Sequence, residues 1–401
     1  RSKTIEEGDY FELINDIRRV IFYIPNQCYV LTYVKPFLGR KTIVYKFFKI
    51  KSFEYNCKLY WYKTINDKKK KIYFRNSIEG YLKYIEYDSV YFYPKFKKDN
   101  SFNLFQGFEP KEKKVVEHSK IQFLLNHELD VFCKCNIKRQ KQMIGWLATC
   151  IQKPTFRHGV SLIIIGNQGC GKNIFFNFIL HQIYGYNLGI DINAKKLGSK
   201  FNSFIAGKLF GLVSECDENS IKKNYSNIKS LITEKTVMIE KKGFDAIQVE
   251  NYLSLVILTN EHIPIPLEDQ DRRFDIYKCS DKIKDKSYFQ QFAKKLEDET
   301  VRDYFYTYLK NYDLSNFNIH DIKSSDKDEI INDMKEEYEQ YILDYDYSEP
   351  IKTSVLYEKY KNYKKLNNEN DIVTKRIFLN NVGKLCNKKK IKGTWCAISL
   401  K

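Results

Sequence analysis

The chain has 401 residues, 43% hydrophobic and 29% charged, with 68 Lys+Arg against 50 Asp+Glu and a formal net charge of +18. That apolar content excludes a disordered tail or a fibrous protein, and the length suits about two to four domains. No stretch reaches the roughly 18 apolar residues of a membrane span, and the opening RSKTIEEGDYF lacks the apolar run of a signal peptide.

Arg1 stands where an initiator Met would, so the expectation is a fragment of a longer protein. The basic excess suits nucleic acid or an anionic surface. AT-rich coding, visible in the crowding of Lys, Asn, Ile, Tyr and Phe, accounts for part of it equally well, so charge alone decides little. The cysteines are scattered without a CxxC pair, and the CxC of Cys133 and Cys135 lacks the second half of a zinc site. Reduced thiols in a cytosolic chain are the reading, with a cytoplasmic location.

In chain order, RVIFYI, QCYVLTYV, KTIVYKFFKI, KLYWYKTI and KKIYF are β-branched and aromatic runs between turn signals, which predicts a β-rich accessory domain over 1–110. NDKKKK (66–71) reads as a basic hairpin tip. Residues 111–158, with RQKQMIGWLATCIQ, read as a helical collar or linker. From 159 to 325 short apolar strands alternate with helices, as in an α/β domain. SLIII, KLFGLVS and LSLVILT are continuous apolar runs, the mark of strands buried on both faces. Residues 326–350 read as an acidic linker helix, with ten acids against two lysines. Residues 351–401 carry thirteen Lys+Arg against three acids and read as helix, helix, hairpin.

The motif SLIIIGNQGCGKN (161–173) is a buried strand, a glycine-rich turn and the start of a helix, the required setting of a phosphate-cradling loop. Gly166, Asn167, Gln168, Gly169, Cys170 and Gly171 would present backbone N–H groups to phosphates, and Lys172 would reach their oxygens. Asn173 stands where a Ser or Thr Mg²⁺ ligand is usual; its amide oxygen still coordinates Mg²⁺, less ideally. Phosphoryl transfer also needs carboxylates to hold Mg²⁺ and orient the attacking water, and Glu215 and Asp217 are the candidate Mg²⁺ ligands beside Asn173. Glu215, at the end of KLFGLVSECDE, is the candidate for activating water, with Ser214 where a partner acid would stand and Asp217 or Glu218 as replacements. Asn260 at the tip of LSLVILTN suits a sensor of the γ-phosphate and the attacking water, against the plainer reading of a turn residue. Arg272 and Arg273 in DRRF suggest an arginine finger, against surface pairing with Asp271. TVMIE and AIQVE flank KKGFD, a predicted hairpin with Lys241, Lys242 and Phe244 near its tip, a combination suited to gripping a single strand.

This order of features, packed between Gly166 and Phe274, resembles the superfamily 3 helicases, and within them the poxvirus-type primase–helicases and phage or plasmid primase–polymerases. FNLFQGFEP (102–110), GWLATCIQKP (145–154) and GSKFNSFIAGKLF (198–210) are similar to that group's flanking segments. The resemblance implies an AAA+-like P-loop core assembled as a hexameric ring, using ATP and Mg²⁺ to move single-stranded DNA 3′ to 5′ at a fork. It implies phosphate binding by Lys172, water activation by Glu215, sensing by Asn260 and an in-trans finger at Arg272, with Arg273 in reserve. The tail resembles a winged-helix module, Lys375 and Arg376 opening the recognition helix and Lys388, Lys389 and Lys390 lying in the wing. A primase or polymerase would stand upstream. The competing readings are a non-enzymatic DNA-binding or assembly module with a decayed loop, and an AAA+ loader or packaging motor.

Overall fold

The structure is a computed structural model. It describes the strand backbone at 21–24, 28–37, 40–48, 60–65 and 68–73, then residues 89–95, 100–197, 202–214, 221, 223–240, 246–261, 267, 271–280, 285–321, 325–367, 369 and 372–400. The chain is a mixed α/β protein made of two compact units, residues 1–107 and 108–401.

In the first unit β1 (Ile21–Ile24), β2 (Cys28–Phe37) and β3 (Arg40–Phe48) pair antiparallel with β2 in the middle. β4 (Tyr60–Ile65) and β5 (Lys68–Tyr73) form a second antiparallel pair. Lys68 to Lys71 lie opposite Ile65 to Tyr62, so β4 and β5 form the hairpin expected at 66–71, with its lysines in β5 and residues 66–67 outside the described residues. β6 (Ser89–Tyr91) and β7 (Ser101–Asn103) pair in parallel. Asn103 fixes the segment that follows: its Oδ1 accepts the N–H groups of Tyr93 and Phe105, and its Nδ2 donates to the Tyr93 carbonyl.

The second unit opens with α1 (His118–His127), which runs on through a π-helical turn at Glu128–Phe132. α2 (Ile137–Gln152) starts where the Asn136 side chain accepts the N–H groups of Lys138 and Arg139, the usual way to satisfy a helix's first donors. The centre is a five-stranded sheet of β8 (Ser161–Ile165), β9 (Gly189–Asn193), β10 (Phe210–Ser214), β13 (Ser254–Thr259) and β14 (Phe274–Lys278), in the order β14-β8-β13-β10-β9. Every pairing in it is parallel. β8 and β13 are buried throughout, which their unbroken apolar text requires.

Around the sheet lie α3 (Lys172–Phe178), continued by a π-helical turn at Ile179–Tyr184, then α4 (Tyr225–Thr233), α5 (Lys286–Leu296) and α6 (Glu299–Lys310). β11 (Thr236–Ile239) and β12 (Ile247–Glu250) pair as an antiparallel hairpin outside the sheet. The helices before the sheet share its core. Arg139 of α2 pairs with Asp275 of β14 at 2.9 Å and lies over the Tyr277 ring, and Gln152 donates to the carbonyls of Leu309 and Tyr312.

α7 (Ser325–Asp344) joins this core to the tail. Asp326 accepts the Lys278 N–H at 2.9 Å, and the Lys327 ammonium bonds the Asp271 carbonyl. At the other end the Tyr338 hydroxyl accepts from Asn381 at 2.8 Å. The tail is β15 (Ile351–Lys352), α8 (Thr353–Leu366), α9 (Lys375–Leu385), β16 (Cys386–Ile391) and β17 (Thr394–Leu400), with β17 at the centre of a three-stranded sheet. Among the described residues no helix is long and apolar enough to cross a membrane.

Candidate active site

β8 leads into the loop Gly166–Gly171, and α3 starts at Lys172. Gly169 and Gly171 hold φ of +87° and +93°, a conformation that costs side-chain-bearing residues dearly. At Gly171 there is no room either, since a Cβ would lie 2.5 Å from the buried His127 ring. A Cβ on Gly166 would lie 2.7 Å from that of Cys279.

Register decides what meets the loop. Thr259 of β13 pairs with Ile165 of β8, and the Gly166 N–H donates to the Thr259 carbonyl at 3.2 Å. Asn260, the next residue, therefore stands beside the start of the loop. Lys172 closes the ring from the loop's far end. Its ammonium donates to the carbonyls of Gly166 (2.7 Å) and Asn167 (3.3 Å) and to Oδ1 of Asn260 (2.5 Å). The topology explains why here. β8 crosses over to the far edge strand β9, while β13 crosses the other way to β14. The crevice between their carboxyl ends is the switch point where open parallel sheets bind ligands.

A cavity of about 580 Å³ opens at this crevice, walled by Gln168, Lys172, Asn173, Asn260 and Glu261, with Phe289 of α5 at its side. Loop N–H groups and one ammonium suit a polyanion. Asn173, Thr259 and Glu261 add carboxamide, hydroxyl and carboxylate oxygens, the hard donors that Mg²⁺ takes. Among the described residues there is no group of three or more His, Cys, Asp or Glu placed to hold a metal. Mg²⁺ at this cavity would thus draw on phosphate and water oxygens, as it commonly does. Under the loop, the Cys170 thiol is held below the usual thiol range, first by the hydrogen bond from Cys279 and then by the N–H and charge of Lys172, against the opposing effect of its burial.

Glu215, Asp217, Lys241, Lys242 and Phe244 lie outside the described residues. Ser214 ends β10, and its hydroxyl donates to Asp191 of β9 at 2.9 Å. Arg272 and Arg273 do not converge on the loop. They precede β14, whose first residue pairs with Ser161 at the amino end of β8, so they sit at the opposite end of the sheet. Five strand residues separate the two ends, about 16 Å. Asp271 holds Arg273 by the Arg273 N–H at 2.8 Å and its guanidinium at 3.2 Å, whereas Arg272 is exposed. Lys375 and Arg376 are exposed in the first turn of α9, behind the Thr374 cap, and Lys388, Lys389 and Lys390 are exposed along β16.

Glu261 and Phe289 were missed by the sequence reading. Glu261 had a signal, an acid directly after the Asn-tipped strand. Phe289 had none, because α5 follows the compact motif block and reaches the cavity only through packing.

A family model described as a family of unknown function (DUF5906) matches residues 164–273, the stretch that builds this site. The chain is 30% identical over 149 residues to the DNA primase-polymerase of Nitratiruptor phage NrS-1, a match covering 36% of this chain and 20% of that protein. The matched segment therefore spans about a fifth of that relative's length. An apo structure of the NrS-1 C-terminal region superposes with a TM-score of 0.56 at 18% identity, covering 99% of this chain and 100% of that one. The A form apo structure of the same region gives 0.53 at 19% identity, covering 84% and 93%. The chain is related to that C-terminal region and shares its fold.

Proposed function

We propose that the second unit is an ATP-hydrolysing motor of superfamily 3 helicase type, working on DNA in replication. The observation that carries this is the meeting of Lys172 and Asn260 over the phosphate loop at the sheet's switch point. A loop that only turned the chain would have no call for a buried lysine aimed at a strand-tip amide. The relationship to a phage primase-polymerase supports the replication setting.

In this reading the loop N–H groups receive the phosphates. Lys172 exchanges its carbonyl and amide oxygens for β- and γ-phosphate oxygens. Asn260, released from Lys172, orients the attacking water, and Glu215, following β10, takes its proton. Phe289 walls the cavity. Asn173, with Glu261, Glu215 or Asp217, would hold Mg²⁺, which would supply charge neutralisation for the transferred group. The β11–β12 hairpin, tipped by Lys241, Lys242 and Phe244, follows a single strand, with 3′-to-5′ travel expected. Arg272 serves the site of a neighbouring subunit in a ring, a hexamer on the helicase reading. The tail is a winged-helix module whose Lys375 and Arg376 meet duplex, and a primase or polymerase is the expected companion.

Lys172→Ala is expected to abolish ATP hydrolysis, measured as phosphate release with and without single-stranded DNA, at unchanged thermal stability. Hydrolysis surviving in that variant would move the active site elsewhere. A wild type that bound DNA without any turnover would favour the non-enzymatic module.

A further inference from the structure

The terminal hairpin holds an aromatic residue that the DNA reading of the tail leaves without a role. Trp395 of β17 is 54% exposed, a large apolar ring left in solvent near the hairpin turn. It pairs with Lys390 across the hairpin, so the two side chains share a face, and the two-residue strand period puts Lys388 on that face too. The Lys388 ammonium lies over the Trp395 ring at 5.8 Å. The turn between the strands is Lys392-Gly393, both at positive φ, which adds one more ammonium at the tip. From 372 to 400 there are seven Lys+Arg and no Asp or Glu.

Lysines alone would serve phosphate contact with any DNA form. An exposed indole among them adds something duplex DNA cannot use along its length, because paired bases present only edges in the grooves. Unpaired bases present π faces, and aromatic side chains between basic ones are the usual platform for them. The side chains placed beside this ring are basic: Lys390 opposite it and Lys388 over it. Charge complementarity selects a polyanion.

We propose that Trp395 is a base-stacking residue, and that its face of the hairpin, with Lys388 and Lys390, takes unpaired nucleotides of a single DNA strand. This rests on the reading of the tail as a DNA-binding module and deepens it: the helix α9 side meets duplex, and the hairpin meets the strand that has left it.

The test uses the whole chain. Binding of a labelled oligothymidylate and of a blunt duplex is measured over a salt series for wild type, Trp395→Ala, Trp395→Phe and Lys388→Gln/Lys390→Gln. Trp395→Ala is expected to weaken single-strand binding about tenfold with little effect on duplex and no change in salt slope. Trp395→Phe retains most of the affinity. The double lysine variant lowers the salt slope by about 1 to 2. Oligothymidylate should also quench the emission that distinguishes wild type from Trp395→Phe. Unchanged single-strand affinity in Trp395→Ala overturns the assignment, as do equal losses on both DNA forms or a change confined to oligomeric state. If wild type bound neither DNA form, the DNA reading of the module would fall as well. If wild type bound and Trp395→Ala behaved like it, only the stacking role would fall.

Discussion

A single amide decides how Lys172 is held. Oδ1 of Asn260 is its only side-chain acceptor in the hydrogen bonds described, the other two acceptors being loop carbonyls. A neutral oxygen can be given up when a phosphate arrives; a carboxylate would hold the ammonium and repel the phosphate. Asn260→Asp is therefore expected to bind ATP about tenfold more weakly than Asn260→Ala, the worth of one charge-assisted hydrogen bond. Both variants should lose hydrolysis. Titration with a fluorescent nucleotide checks this, and equal affinities in the two variants would take Asn260 away from the phosphates. The pair was legible in the sequence as a lysine closing a glycine-rich loop and an asparagine at a strand tip. Their contact was not, because it depends on the register that sets Thr259 opposite Ile165.

At the scale of elements, His158 ties α2, β8 and β13 together behind the site. Its Nδ1 accepts the Val160 N–H at 3.2 Å, so the proton resides on Nε2, which donates to Ser254 Oγ at 3.0 Å, with Cys150 Sγ at 3.6 Å. Burial, and then the charge of Arg157, pushes its pKa down to about 3. The folded protein thus keeps this ring neutral while the unfolded chain protonates it below about 6.5. His158 contributes fully above that value, and the contribution drains away as pH falls from about 6.5 towards 3. Near pH 5 the loss is about 2 kcal/mol. Urea midpoints at about pH 7 and pH 5 should show wild type losing that much more than His158→Gln; parallel losses would mean that the ring is not protonation-sensitive. None of this was readable in the sequence, where His158 is a lone histidine in a linker. The same limit applied to strands. β8, β10 and β13 announced themselves as apolar runs because both faces are covered. The edge strands β9, GIDIN, and β14, FDIYK, carry polar residues. Asp275 within β14 takes its charge partner from Arg139, 136 residues away, beside the hydroxyl of Tyr277. At β5 composition found the hairpin but set its turn too wide, since the lysines after it pair with β4.

For the whole molecule, the position of the arginine pair limits what one chain can do. Arg272 and Arg273 lie at the amino end of the sheet and the Gly166–Gly171 loop at its carboxyl end, so neither reaches its own loop. Arg273 has local work instead: with Tyr225 and Lys327 it satisfies the buried Asp271 at the junction with α7. Arg272 is exposed and, among the described residues, forms no ion pair, which suits an arginine offered to a neighbour. Head-to-tail contacts that close into a ring would bring the amino-end surface of one subunit to the loop of the next. On that arrangement Arg272→Ala should fold like wild type and fail to hydrolyse ATP. Arg273→Ala should lose about 1–3 kcal/mol of stability, because it strips a partner from a buried carboxylate. Mixing Arg272→Ala with Lys172→Ala in equal amounts rebuilds about a quarter of the interfaces, those where an intact Lys172 faces an intact Arg272. Hydrolysis should recover towards that fraction, whereas Arg273→Ala, with Lys172 and Arg272 both intact, should hydrolyse ATP by itself as far as its reduced stability permits. Phosphate release from the Arg272→Ala and Lys172→Ala mixture that never exceeds the sum of the two separate preparations would rule out a shared site and leave Arg272 as a surface residue.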